Sequence, residues 1–208
     1  MEGARQPVAS TDYSKWALFA VLGLVSLFTL GYKELYLFDP HSPHWQLIAP
    51  FKWLLLPHAI LGVTALVTGP LQFSSRIRRS NLALHRLTGR IYVSAVAIGA
   101  PIGAYIGFTF FPYPFNLEQL AQGGLWFLTT AIAYLAIRNK NVSLHRQWMA
   151  RSYAFTFFFI ASRIPFIFPA FSNIVLTTTV FWFLIVGTLI APDLLLTWRQ
   201  LIPWHRRS

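Results

Sequence analysis

The sequence predicts an all-α integral membrane protein, a bundle of six transmembrane helices with a duplicated two-helix hairpin. Only 11% of the 208 residues are charged and 55% are apolar, and the mean hydropathy is +0.52. A soluble domain usually carries about a quarter charged residues, so this chain has too few to cover a water-facing surface. Apolar runs of about 18 residues or more, the length that crosses a bilayer as a helix, recur along the chain.

Six apolar segments follow one another and define the expected spans. The first is the shortest, and polar residues flank it on both sides. Because the connecting loops are too short to fold by themselves, residues 1–208 are expected to form a single membrane domain. The expected spans are 16–32, 51–71, 82–108, 117–137, 142–164 and 172–196.

Asparagine lies at or beside the start of four spans, where its side-chain oxygen can accept a hydrogen bond from the first helical turn. Asparagine also favours turns in general, which fits the same boundaries. Prolines lie inside or at the end of several spans, and inside a helix each removes a backbone donor and favours a kink. The asparagines are Asn81, Asn116, Asn141 and Asn173, and the prolines are Pro57, Pro70, Pro101, Pro165 and Pro192.

The positive charge is distributed unequally across the membrane. With six spans, every basic residue except Lys33, Lys52 and Arg163 falls on one side. This asymmetry obeys the positive-inside rule and places both termini in the cytoplasm. The net charge of +11 therefore reflects topology and attraction to anionic membrane lipids. It does not indicate a nucleic-acid partner.

Several common kinds of catalytic site are excluded. The chain has no cysteine, which rules out disulfides, thiolate metal sites and cysteine nucleophiles. Glycine-rich phosphate loops, Ser/His/Asp sets and paired carboxylates inside the membrane are also missing from the sequence. No catalytic residue is therefore assigned, and whether the protein is an enzyme stays open.

A repeated motif is the best clue to function. The pattern Asn-x-x-Leu-His-Arg occurs at residues 81–86 and 141–146, and each copy is soon followed by Arg-x-Tyr, at 90–92 and 151–153. Each copy opens a long apolar stretch after a short basic loop. This spacing indicates a duplicated hairpin that brings two histidines to one depth of the membrane.

The two histidines of the repeat, His85 and His145, are candidate cofactor ligands. Each lies four residues after its asparagine, about 6 Å along the helix, and both helices are expected to run in the same direction. If these helices face each other diagonally, the two imidazoles can ligate one haem b from opposite sides. Four arginines, Arg86, Arg90, Arg146 and Arg151, would then lie close enough to pair with the haem propionates, for which a guanidinium fork is well suited. Arg90 and Arg151 are the expected partners.

Two other interpretations of this pair remain open. A bare metal ion such as zinc, copper or iron could bind His85 and His145, with Asp193 as a possible carboxylate ligand. Alternatively, a His-Arg pair at the start of a helix simply meets lipid phosphate, and the repeat reflects ancestry and topology.

His58 and Arg163 form a second candidate site toward the outer side. His58 lies inside the second span, and Arg163 lies at the outer end of the fifth. Together they could bind the anionic group of a substrate, such as a carboxylate, or a quinone oxygen. In the alternative interpretation, Arg163 extends outward to water and His58 bonds a carbonyl freed by a proline.

The sequence resembles a bacterial family of predicted multi-span membrane proteins, domain of unknown function 2306. The resemblance covers roughly residues 55–190 and implies an integral protein of the bacterial cytoplasmic (inner) membrane, without implying an activity. Its motifs are His58-x-x-Leu61-Gly62, Gly69-Pro70-Leu71-Gln72-Phe73, Leu84-His85-Arg86-x-x-Gly89-Arg90-x-Tyr92 and His145-Arg146-x-Trp148-Met149-x-Arg151-Ser152-Tyr153.

A weaker similarity is to the six-span di-haem cytochromes b that pass electrons from ascorbate across membranes. It rests on Leu84-His85-x-x-x-Gly89 and on the number of spans. That family has histidines on four consecutive core helices, whereas the expected span 117–137 contains none. The similarity therefore implies one haem at most, between His85 and His145.

Three functional hypotheses follow. The leading one is a b-type haem protein that transfers electrons to or from a lipid-soluble partner such as quinone. The second is a cofactor-free carrier or lipid-interacting protein, whose kinked spans rock around His58 and Arg163. The third is a structural subunit of a larger complex.

Overall fold

The computed structural model describes residues 13–33, 39, 41–165 and 173–201, and within these ranges the chain forms eight α-helices and no strand. The prediction of an all-α fold is therefore confirmed. In chain order the helices are α1 (Tyr13–Lys33), α2 (Pro43–Ile48), α3 (Lys52–Gln72), α4 (Ser75–Ser80), α5 (Leu82–Phe110), α6 (Phe115–Arg138), α7 (Val142–Ala161) and α8 (Ile174–Leu201).

Four of these helices are long and apolar enough to cross a membrane. They are α3, α5, α6 and the Ile174–Leu195 part of α8. The prediction of six spans is thus confirmed for four of them. The expected span 16–32 corresponds to α1, whose apolar part, Trp16–Tyr32, is shorter than such a span requires. The expected span 142–164 corresponds to α7, which is not among the four.

Helix α7 is more polar than a lipid-facing span because it lies inside the bundle. It packs against α1, α3, α6 and α8. Its Ser152 and Thr156 are buried, and its Arg151 forms an ion pair with Asp193 of α8. Hydroxyl and charged groups are tolerated at membrane depth where neighbouring helices supply their partners. The central position of α7 therefore accounts for its composition.

Helices α3, α5, α6 and α7 form the core of the fold. Helix α5 packs between α3 and α6, and α6 packs between α5 and α7, so that α5 and α7 lie diagonally across the core. Short connections precede and follow α6, and therefore α5 and α7 run in the same direction. Helix α8 packs on α7 and α6, and α1 packs on α7. We call the end where α5 and α7 begin the basic end, and the opposite end the far end.

Asparagine caps three of the helices. Asn81 Oδ1 accepts a hydrogen bond from the third residue after it at 2.9 Å, and Asn141 Oδ1 does the same at 3.0 Å. Asn173 accepts two hydrogen bonds from the first turn of α8. Asn116 lies beside the start of α6 as expected, but it does not cap this helix, because the helix begins at Phe115 and its N-cap residue is Pro114. The matching caps of α5 and α7 agree with a duplicated hairpin, and the duplication itself stays a prediction.

Apolar side chains cover the outside of the bundle, and many hydroxyl groups lie inside it. Leu27, Trp53 and Phe183 are 71%, 77% and 73% exposed. Thr129, Ser152 and several other serines and threonines are buried. This distribution suits a protein surrounded by hydrocarbon, which solvates apolar groups and leaves polar groups without partners.

Small residues bring α5 close to both of its neighbours. A Cβ atom added at Gly103 would overlap the ring of His58 in α3, and one added at Gly107 would overlap the side chain of Gln119 in α6. Glycines at such contacts are typical of membrane helix pairs, whose association depends on close packing. Helix α5 is therefore tightly fitted on two sides.

Candidate functional site

The two histidines of the repeat lie at the basic end, one on each of the diagonal helices. His85 is in the first turn of α5 and His145 is in the first turn of α7. The two side chains are close enough to interact electrostatically. Both are only partly buried. The structure thus brings together the residues that the sequence had placed at equal depth.

The hydrogen bonds of the two imidazoles differ. The Nδ1 atom of His145 lies 2.9 Å from the carbonyl oxygen of Ala133 in α6. A carbonyl oxygen only accepts, so the Nδ1–H of His145 donates this bond. The Nδ1 atom of His85 is buried and has no hydrogen-bond partner. Each ring therefore retains one nitrogen that the described contacts do not use.

One arginine beside this pair, Arg86, was among those that the sequence had suggested, and the other, Arg78, was not. Arg78 of α4 and Arg86 of α5 interact electrostatically with His85. Helix α4 was not predicted, and its position follows from a cap in which Ser74 Oγ accepts from the Ile77 N–H at 3.3 Å. The short helix directs the basic connection between α3 and α5 toward the histidines. Two positive charges therefore lie beside the pair.

Arg90 and Arg151, the expected propionate partners, have other surroundings. Arg90 is exposed in a groove between α3 and α5. Arg151 Nη2 donates to Asp193 Oδ1 of α8 at 2.6 Å, and its guanidinium lies 4.7 Å from the centre of the Trp148 ring. Asp193, the possible carboxylate ligand of a metal, is thus the ion-pair partner of Arg151. Within the described part of the chain, no group of three or more His, Cys, Asp or Glu side chains is arranged to hold a metal ion.

A buried cluster of hydroxyl groups joins α5, α6 and α7, and the sequence analysis missed it. The Tyr92 hydroxyl lies 2.7 Å from Ser152 Oγ and 2.8 Å from Thr156 Oγ1. Ser152 Oγ lies 2.7 Å from Thr130 Oγ1, and Trp126 Nε1 donates to Thr156 Oγ1 at 3.0 Å. All five side chains are buried. We call these five residues the hydroxyl cluster.

The repeat contains a signal for this cluster. Tyr92 follows His85 by seven residues, and Ser152 follows His145 by seven, so each lies two turns further along the same helix face. Tyr92 and Ser152 are themselves 60 residues apart, which is also the separation of the two histidines. The hydroxyl cluster therefore joins the diagonal helices two turns below the histidine pair.

His58 and Arg163 meet on one aromatic ring near the far end. The His58 ring contacts the Phe159 ring edge to face at 6.2 Å, and the Arg163 guanidinium lies 4.2 Å from the centre of that ring. Arg163 also interacts electrostatically with His58. The Nδ1 atom of His58 donates to the carbonyl oxygen of Gly99 at 2.8 Å. That carbonyl is not the one freed by Pro101, since a proline frees the carbonyl four residues earlier.

Glu118 is a second buried polar residue that the sequence analysis did not select. It lies in the first turn of α6 and its side chain is 0% exposed. Its carboxyl group lies beside the hydroxyl of Thr178 in α8. A lone carboxyl group in this sequence gave no signal of burial, because its position at a helix start suggested contact with water.

Comparisons with known proteins place the chain in a family but give no activity. No curated protein and no solved structure matches it. The family model described as "Predicted membrane protein (DUF2306)" matches residues 55–198, which is more than half of the chain and covers α3 to most of α8. The resemblance inferred from the motifs is confirmed, and the protein belongs to this family of predicted membrane proteins.

Proposed function

We propose that the protein binds a b-type haem, which His85 and His145 would hold, and that it transfers electrons between this group and a lipid-soluble partner such as quinone. The observation that supports the proposal is the position of two imidazoles in the first turns of the diagonal helices α5 and α7, where they interact electrostatically. Cores of helical bundles are common places for such ligand pairs. When bound, a haem supplies one-electron redox chemistry, and its ligands and surroundings set the potential.

The hydrogen bonding of the imidazoles suits ligation. A ligating histidine usually donates its other ring N–H to a carbonyl or carboxylate, which fixes the tautomer and the ring orientation. His145 has this arrangement through Ala133, and its Nε2 atom is left for iron. His85 has a buried ring nitrogen without a partner, and a buried polar atom of this kind is costly unless something binds it.

The surrounding charge suits the haem propionates. Arg78 and Arg86 lie beside His85, and each can form a bidentate contact with a carboxylate. The proposal therefore names these two arginines, since Arg90 lies in a groove against α3 and Arg151 is paired with Asp193. The hydroxyl cluster occupies the space two turns below the histidines, so the group would sit at the basic end of the bundle.

An absorption spectrum tests this proposal directly. The protein is purified from cells supplied with haem precursor, and the reduced-minus-oxidised difference spectrum is recorded. We expect a sharp band that is lost in His85→Ala and in His145→Ala. The control is His41→Ala, which removes an exposed imidazole and should leave the band unchanged. A colourless wild-type protein, or a band that survives both substitutions, would contradict the proposal.

A cofactor-free carrier is the second candidate, and the contact of His58 and Arg163 with Phe159 favours it. His58 bonds Gly99, which follows His85 by 14 residues, about 21 Å along α5. The two sites are therefore separate and support different functions. A colourless protein that binds a fatty acid, with binding weakened by Arg163→Gln and not by Lys52→Gln, would support the carrier.

A further inference from the structure

An open groove lies between α3 and α5. It has a volume of about 340 Å³, opens to the outside of the bundle and has a mostly apolar lining. Helix α5 contributes Arg90, Ile91, Ser94, Ala95 and Ile98, which share one helix face, and α3 contributes Leu61 and Thr64. We propose that this groove binds one acyl chain of an anionic phospholipid whose phosphate is held by Arg90.

Arg90 lies well along α5 from the basic end. It follows the first residue of α5 by eight positions, about 12 Å along the helix. A charged side chain at such a depth is costly unless water or a partner stabilises it. Side chains in a helix tilt toward its N-terminus, which brings the Arg90 guanidinium back toward the basic end and the level of the lipid phosphates.

In the second half of the repeat, the positive charge of the arginine is neutralised by an acidic side chain. Arg151 of α7 is the arginine of the second Arg-x-Tyr motif, one residue further from its histidine than Arg90 is, and Asp193 of α8 pairs with it at 2.6 Å. The described acidic residues are Asp39, Glu118 and Asp193, and none of them pairs with Arg90. An anionic ligand would therefore give Arg90 the neutralising negative charge that Asp193 of α8 gives to Arg151.

The remaining lining residues favour a hydrocarbon chain. Below Arg90 the groove continues along Ser94, Ala95 and Ile98 of α5 toward the middle of the helix. The hydroxyl of Thr64 is already bonded to the Ile60 carbonyl at 2.8 Å and does not require a polar ligand. Arg90 lies at one end of the groove and apolar residues line the rest of it. This arrangement is complementary to a lipid with an acidic headgroup and an acyl chain. Both parts of the site are thus complementary to one molecule.

Lipid binding to the purified full-length chain tests this inference. Dioleoyl-phosphatidylglycerol is titrated into the delipidated protein in detergent, and the bound fraction is measured by native mass spectrometry. We expect one tightly bound molecule, with affinity about tenfold or more weaker in Arg90→Gln, since a charge-assisted hydrogen bond is lost. Arg146→Gln, which removes an exposed positive charge at the same end, is the matched control and should bind as the wild type does.

Further binding measurements test the headgroup contact and the acyl-chain contact separately. Dioleoyl-phosphatidylcholine should bind more weakly than phosphatidylglycerol, and inorganic phosphate should not displace the lipid at equal concentration. Ser94→Trp should fill the channel and reduce lipid binding, whereas Arg90→Lys should retain most of it. Equal binding by Arg90→Gln and Arg146→Gln would overturn the inference. So would equal affinity for the two lipids, or unchanged binding by Ser94→Trp.

Discussion

Removing the hydroxyl of Tyr92 should lower the stability of the bundle by a measurable amount. In Tyr92→Phe the ring remains and the two hydrogen bonds to Ser152 and Thr156 are lost. Neither partner is left alone, since Ser152 still contacts Thr130 and Thr156 still accepts from Trp126. The cost is therefore that of two hydrogen bonds between helices, at about 0.5 to 1 kcal/mol each.

The expected loss is about 1 to 2 kcal/mol in the free energy of unfolding, by summing the two bonds. For a chain of this length that corresponds to a fall of about 2 to 8 °C in Tm. The assay is thermal unfolding in detergent micelles, followed by circular dichroism. The control is Tyr105→Phe, because Tyr105 is 56% exposed on the same helix. If both variants unfold at the same temperature, the hydroxyl cluster does not stabilise the contact between α5 and α7.

Two further experiments test the packing of Gly69 and the ion pair of Arg151 with Asp193. Gly69→Ala should destabilise the protein by about 1 to 3 kcal/mol, since the new Cβ would overlap the Tyr153 ring. Gly62→Ala, with open space at its Cβ, is the control for helix propensity, and equal stability of the two variants would contradict the packing argument. In a double-mutant cycle, Arg151→Ala and Asp193→Ala should show a coupling of about 1 kcal/mol. Denaturant unfolding measures it, and additive effects would show that the ion pair contributes nothing.

The helices could be predicted from hydropathy because the bilayer selects long apolar segments. The difficulty lay in α7, whose polar residues are satisfied by neighbouring helices and not by water. Hydropathy scores each span as if lipid surrounded it. It therefore cannot distinguish a helix in the interior of the bundle, such as α7, from a helix at the membrane surface. Helices α2 and α4 were missed for a related reason, since each is six residues long and carries no periodic apolar face.

The position of His85 and His145 in the first turns of two helices that run in the same direction could be predicted, and the side of the helix on which the neighbouring arginines lie was predicted less well. Depth follows from the rise of the helix and from the common direction of α5 and α7. Direction follows from the angle between positions: Arg90 is five residues after His85, about 140° around the helix. Arg90 therefore faces α3 and not α7. The ion pair of Arg151 with Asp193 could not be predicted, because it depends on how α8 packs against α7 and no local sequence pattern specifies that packing.

The tight contacts of Gly103 and Gly107 have a consequence for how this protein can move. Because α5 cannot slide past α3 or α6 without steric overlap, these three helices should shift only as one body. The hydroxyl cluster adds α7 to that body. Any transport cycle would then depend on α1 and α8, the two long helices attached at the periphery. A crosslink between α8 and α7 should arrest such a cycle, whereas one between α3 and α5 should leave it running.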